Sequence, residues 1–272
     1  MDATQLVALG YFSTIAFAAT VEATLPLRRP APGALRHRWR ANIALALIDT
    51  AVIRLLVPIG IMEVAAFAAD SRFALLPALG LVPWWLAAVL TFLALDFGKY
   101  LQHLALHRLG WAWRFHAVHH SDRDYDFTTG LRFHPVEALL TVSLDLAVIA
   151  ALGGPLEVVL GYEIARITLS LLAHANFAMP DSVDRVLRLV LVTPNAHRLH
   201  HAVEFQARDC NFGTVFTWWD RIGGSWESLP VRSLPDLAIG LPNHPNGAPE
   251  GLMAVLLAPF RRAAVERRPE AA

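Results

Sequence analysis

The feature that most constrains this chain is a series of apolar runs longer than an ordinary soluble core uses. One extends from about Thr4 to Leu25, a second from about Ala41 to Ala69 and a third from about Leu75 to Leu95. Crossing the hydrocarbon of a bilayer takes roughly 20 apolar residues in a helix, so each run predicts a membrane span. The second is long enough to tilt or to include an interfacial piece. Trp84 and Trp85, near the start of the third, suit an interfacial anchor. Two shorter runs, Pro135–Leu152 and Pro155–Ala173, flank Gly153–Gly154 and predict a tight helical hairpin, each helix opening on a first-turn proline. The first run has no positive charge before it and no clean small-residue cleavage site after it, so it reads as a retained helix and not a signal peptide. The expected fold is all-α: one integral membrane domain over residues 1–272, four to five transmembrane helices, and a helical cap. The transmembrane helices before the hairpin fall within 4–100, and a short basic helix follows a proline-rich tail at the C-terminus.

Composition agrees. Hydrophobic residues make up 55% of the chain and charged residues 17%, against about 25% charged in soluble domains. The formal net charge is zero, which excludes the basic footprint a nucleic acid needs. A single cysteine, Cys210, rules out a disulfide framework or a thiolate cluster and reads as a packed side chain. Arg28, Arg29, Arg36, Arg38 and Arg40 crowd the connection between the first two runs, which the positive-inside tendency assigns to the cytoplasm. Counting spans from there returns the chain to the cytoplasmic side near Lys99, and a hairpin leaves everything after His174 on that side. Asp49, Arg54 and Glu63 in the second run, and Asp145, Glu157, Glu163 and Arg166 in the hairpin, are charges at membrane depth. Such groups pair or serve function, and Glu163 and Arg166 have the i,i+3 spacing of a pair.

The twelve histidines are not scattered. Eight of them form HxxxH (His103, His107), HxxHH (His116, His119, His120) and a second HxxHH (His197, His200, His201), all on the side expected to be cytoplasmic. Residues three and four apart share a helix face, so each cluster presents its imidazoles together. Eight nitrogen donors on helical faces suit two transition-metal ions, since neutral imidazole binds iron, zinc, copper and nickel. Local signals support the helices: Thr193–Pro194 caps and starts one just before His197, and Asp181 with Asp184 opens one near Ser182. His174, at the end of the hairpin, is expected to be a ninth ligand. His134, just before Pro135, is a candidate ligand, helix cap or outer hydrogen-bond partner. His37 and His244 read as ordinary surface residues.

These patterns resemble the histidine boxes of the fatty acid hydroxylase / sterol desaturase superfamily. The resemblance extends to RFHPVE (Arg132–Glu137), AHANF (Ala173–Phe177) and NFGTVFTWWDRIGGSW (Asn211–Trp226), and covers about residues 85–227. It implies a hydroxylase-like catalytic region over 96–227, with the hairpin at 135–173 inside it. It also implies a non-haem dimetal centre of two iron ions (zinc being an alternative occupant on isolation), dioxygen as co-substrate and a lipid substrate entering from the bilayer. By that likeness His103, His107, His116, His119, His120, His174, His197, His200 and His201 are metal ligands, and His134 lies in a shared motif. Within Asn211–Trp226, Asn211 and Gly213 suit turn chemistry, and Trp218 and Trp219 interfacial packing. Asp220–Arg221 and Asp96 are candidates to orient a ligating histidine. The expected reaction is hydroxylation, with desaturation or a non-enzymatic membrane metal binder as the alternatives. The sequence carries no GxGxxG, cysteine cluster or CxxCH, so a separate electron-donor protein is expected at the cytoplasmic face.

Overall fold

Proline and glycine set where the apolar runs become helices. The computed structural model describes residues 1–29, 34–203, 209–241 and 251–261. Helix α1 covers Ala3–Thr24, opened by a capping box between Asp2 and Gln5. The second run is divided: α2 covers Ala34–Leu56 and α3 covers Ile61–Ala69, at a bend of 43°. Pro58 and Gly60 fall in the break, where proline removes a backbone donor and clashes with the preceding turn. The third run is divided too. A single turn, α4 (Leu75–Ala78), gives way at Gly80 (φ +77°), and α5 begins only after Pro83, at Trp84. α5 then continues to Arg108 without a break at Asp96 or Lys99. The hairpin forms as expected: α7 covers Pro135–Leu152 and α8 Leu156–Ala173.

Among the described residues there is no strand, and three helices are long and apolar enough to cross a membrane: Gln5–Thr24, Trp84–Arg108 and Pro135–Leu152. The bent α2–α3 pair makes a fourth. α8 equals α7 in length but carries Glu157, Glu163 and Arg166, which lowers its mean hydropathy. Large apolar side chains point outward along these helices: Phe12, Leu47 and Phe67 are each more than 60% exposed, a display suited to lipid and not to water. Inside, Ala65, Leu95, Ile149, Val159 and Tyr162 close a core between α3, α5, α7 and α8.

Shorter elements build the cap. α6 covers Gly110–His120, α9 Asp181–Leu187, α10 Pro194–His200, α11 Trp218–Gly223 and α12 Leu252–Leu257. α10 begins at its predicted cap, where Thr193 Oγ1 accepts from Ala196 N at 3.3 Å, and α9 begins at Asp181, one residue before the predicted start, after Pro180 and without a side-chain cap. α12 is short; the basic residues beyond Arg261, and His244, lie outside the described residues. His37 is exposed.

The hairpin turn packs closely against the segment from α3 to α4. Gly153 sits at φ +64°, and a Cβ there would come within 2.5 Å of Ala74 Cβ and 2.7 Å of Ala68 O. Gly153→Ala is therefore expected to cost about 1–3 kcal/mol, lowering the unfolding midpoint in detergent. Gly161→Ala, in α8 with open space around it, is expected to be neutral or slightly stabilising.

Candidate metal centre

Nine histidines converge in two adjoining buried groups. His103, His107, His116, His120 and His200 form one; His119, His174, His197 and His201 form the other. Within each group one nitrogen per ring lies within 4.8 Å of every other. The HxxHH triplets do not each serve one group. On α6 the i and i+4 positions, His116 and His120, enter the group of five, while His119 enters the group of four. At α10 the allocation reverses: His197 and His201 enter the group of four and His200 the group of five. Each triplet therefore bridges both sites. Its i,i+4 pair faces one way and the i+3 residue is rotated toward the other, by the roughly 100° that separates successive helical residues.

The outward nitrogens explain why the inward ones are available. His103 Nδ1 lies 2.9 Å from Phe212 O, His116 Nδ1 2.7 Å from Glu137 Oε1, His174 Nδ1 2.6 Å from Ser170 O and His200 Nδ1 2.7 Å from Cys210 O. A carbonyl or carboxylate only accepts, so each Nδ1 carries the proton, and a neutral ring then has a bare Nε2. These bare nitrogens meet other ring nitrogens: His103 and His116 Nε2 are 3.2 Å apart, and His174 Nε2 lies 3.0 Å from Nε2 of His197, whose Nδ1 has no hydrogen-bond partner among the described residues. His201 is buried with no hydrogen-bond partner for either ring nitrogen among the described residues. Adding protons does not relieve this crowding. Burial first, then the neighbouring imidazoles, hold His119, His120, His197 and His201 well below the usual histidine range. Burial likewise takes His174 down to about 4. A set of neutral, converging imidazole lone pairs fits a cation, and its donor type fits a transition metal.

His134 lies outside both groups. Its Nδ1 accepts from Val136 N at 3.1 Å, capping α7, and its Nε2 donates to Leu256 O at 3.2 Å. Both ring nitrogens are thus in use, and the helix-cap reading describes its place. The motif's functional neighbour is Glu137, three residues on, a buried carboxylate on His116 that the sequence reading passed over. Its signal was there: an acid within one turn of a histidine in a charge-poor helix. Asp220 and Asp96 act at one remove. Asp220 accepts from Phe212 N (2.7 Å) and Gly213 N (2.8 Å), fixing the strand of backbone whose Phe212 carbonyl holds His103. Asp96 accepts from Val215 N, Phe216 N and Trp219 Nε1, pinning the same segment to α5. Asn211, at φ +54°, ties the segment to Ala196 O at 2.9 Å, so its turn role stands.

A second brace holds the loop after α6. Arg38 of α2 donates to Asp122 at 2.7 Å and also to Asp126. Arg132 donates to Val118 O and to Asn42 Oδ1, each at 2.9 Å. Glu22 of α1 accepts from Phe127 N (2.8 Å) and Asn176 N (2.7 Å), joining this loop to the residue two past His174. Tyr125, in a strained φ of +41°, donates to Ala173 O at 2.8 Å under the Arg198 guanidinium.

The fatty acid hydroxylase family model matches residues 88–225. The chain belongs to that family. Among curated relatives of this hydroxylase-family chain, an ornithine lipid hydroxylase of Rhizobium tropici is 32% identical over 181 residues, 66% of this chain and 52% of that protein. An alkylglycerol monooxygenase of Caenorhabditis elegans is 32% identical over 133 residues, 49% of this chain and 25% of that protein. Human cholesterol 25-hydroxylase is 29% identical over 144 residues, 52% of each. The chain thus spans about half the length of these relatives or less. No solved structure matches it. Glu137→Ala, which frees the His116 ring, is expected to weaken metal retention by about 10–100-fold with helix content unchanged, read by metal analysis after dialysis beside circular dichroism.

Proposed function

We propose that this chain hydroxylates a C–H bond of a membrane lipid with dioxygen at two iron ions. His103, His107, His116, His120 and His200 would hold one ion, and His119, His174, His197 and His201 the other. The observation that carries the reading is the convergence of bare imidazole nitrogens in two adjoining groups beneath helices that cross a membrane. The three relatives named above, each called a hydroxylase or monooxygenase of a lipid, favour hydroxylation over desaturation. When bound, reduced iron supplies the activation of dioxygen and the oxidant for an unactivated C–H bond.

The protein's own part is geometry and access. The carbonyls of Phe212, Ser170 and Cys210 and the Glu137 carboxylate hold four rings in one tautomer and orientation. A cavity of about 120 Å³ lies against His103, His116, His119, His174 and His197, where a substrate carbon would sit. A second, of about 360 Å³, extends between α1, α2, α3, α7 and α8. Phe133, Thr141, Arg166 and Ser170 line both, so the two adjoin. The overall change is R–H + O₂ + 2e⁻ + 2H⁺ → R–OH + H₂O. Two electrons arrive from a separate donor protein, since Cys210 is buried and the chain has no redox motif of its own. In this reading the metal centre and the donor's docking face are cytoplasmic, which the positive-inside tendency of the arginines before and within α2 supports.

Membranes containing the chain, supplied with reductant and ¹⁸O₂, are expected to yield a lipid product carrying one ¹⁸O atom. A product oxidised without label would sink hydroxylation, and an unlabelled alkene would identify a desaturase.

A further inference from the structure

Two ion pairs lie at membrane depth, and they are not placed at random with respect to the cavities. Lys99 Nζ of α5 donates to Asp145 Oδ2 of α7 at 2.6 Å and to Gln102 Oε1 at 3.1 Å. Arg166 Nη2 of α8 donates to Glu163 Oε2 at 2.5 Å. Lys99 is one helical turn before His103, and Arg166 is about two turns before His174, so both cations stand on the membrane side of the metal centre. Both line the cavity that touches the histidines, whereas neither Asp145 nor Glu163 does. Those carboxylates flank a small space of about 20 Å³, and Asp145 also lines the larger cavity. Neither cation is saturated. An ammonium has three donors and a guanidinium five, and among the described residues Lys99 uses two N–H groups and Arg166 leaves Nη1 without an acceptor. The carboxylate that does line this cavity, Glu137, is held by His116 through Oε1, and its Oε2 has no hydrogen-bond partner among the described residues. The larger cavity is more apolar: Ile53, Ile61, Val142 and Leu171 stand in its wall, with Asp49, Asp145 and Arg166 as its charged members.

Burying two cations beside an apolar channel costs free energy unless they are paired, and intramembrane charges that face a cavity mark substrate contacts. Here each pair turns its positive member toward the reacting space. We propose that Lys99 and Arg166 select a lipid with an anionic headgroup, carboxylate or phosphate, and hold that headgroup in the 120 Å³ cavity. The acyl chain runs back into the 360 Å³ cavity between the membrane helices. This places the oxidised carbon near the polar end of the lipid and disfavours a neutral sterol. The inference rests on the hydroxylase reading above for what happens to that carbon, but binding and orientation can be measured without turnover.

The test uses full-length protein in detergent with its metal content recorded beforehand. Three probes of one chain length are compared: N-oleoylglycine (carboxylate), oleoyl lysophosphatidate (phosphate) and mono-oleoylglycerol (neutral). At least one anionic probe is expected to bind about tenfold or more tighter than the neutral one, and the tighter of the two identifies the headgroup. The preference is expected to fall below about twofold in the charge-balanced variants Arg166→Gln/Glu163→Gln and Lys99→Met/Asp145→Leu, which leave no unpaired buried charge. Equal binding of the neutral probe by the wild type, or a preference untouched in both folded variants, would overturn the proposal. A measurement that needs no variant is photolabelling with a diazirine at the head or the tail of the tighter probe. Head labels are expected near Gln102 and Ser170, and tail labels near Tyr11 and Ile53; the reverse pattern overturns the orientation. Protein that binds the anionic probe this way but retains no metal would refute the hydroxylase reading while leaving the lipid site intact.

Discussion

Everything in this structure depends on one electrostatic problem: bare imidazole nitrogens held about 3 Å apart in a buried space. Four of the rings, His103, His116, His174 and His200, have their outward N–H committed to a carbonyl or carboxylate and so have only a lone pair left to aim inward. That arrangement is unfavourable alone and favourable around a cation, so the same contacts that fix the rings also create the demand for metal. Folding and metal binding are linked in such a site. The stability of the cap is expected to track its metal content.

Several other buried polar groups serve to hold those rings against lipid-facing helices. A charge-poor chain places Arg38, Asp122 and Asp126 together beneath α6, uses Glu22 of the first helix to bind two loops at once, and sets Asp96 and Asp220 on the backbone that carries Phe212. Buried ionic networks of this kind specify geometry more than they add net stability. The membrane helices supply a rigid frame and an apolar route, and the cap supplies tautomer and direction. The division of labour also accounts for the family match at 88–225, which begins within α5 and ends just past α11.

Much of this was legible in the sequence because it rests on local rules. Gly153–Gly154 between prolines marks a hairpin, Thr193–Pro194 marks a helix start, and histidines three and four apart share a face. What stayed hidden is non-local or depends on small rotations. Helical spacing says that His116, His119 and His120 are neighbours, but the 100° step between residues decides that they are split between two groups. Pro58 and Pro83 divide runs that hydropathy reads as continuous, since an average over apolar residues is insensitive to one missing N–H. The chain is expected from its spans to reach the cytoplasmic side near Lys99, and what the sequence does not show is that α5 continues to Arg108 with Asp96 and Lys99 buried against partners on other elements. His134 looked like a ligand by company and is a cap by geometry.

The central claim is that two separate histidine groups each hold one ion. The most direct measurement is metal content per chain in folded, detergent-purified protein, comparing the wild type with His174→Ala/His197→Ala, which removes two donors from the group of four only. The account predicts about two equivalents in the wild type and about one in the variant. Less than one equivalent in folded wild-type protein, or a variant that still holds two, would contradict it.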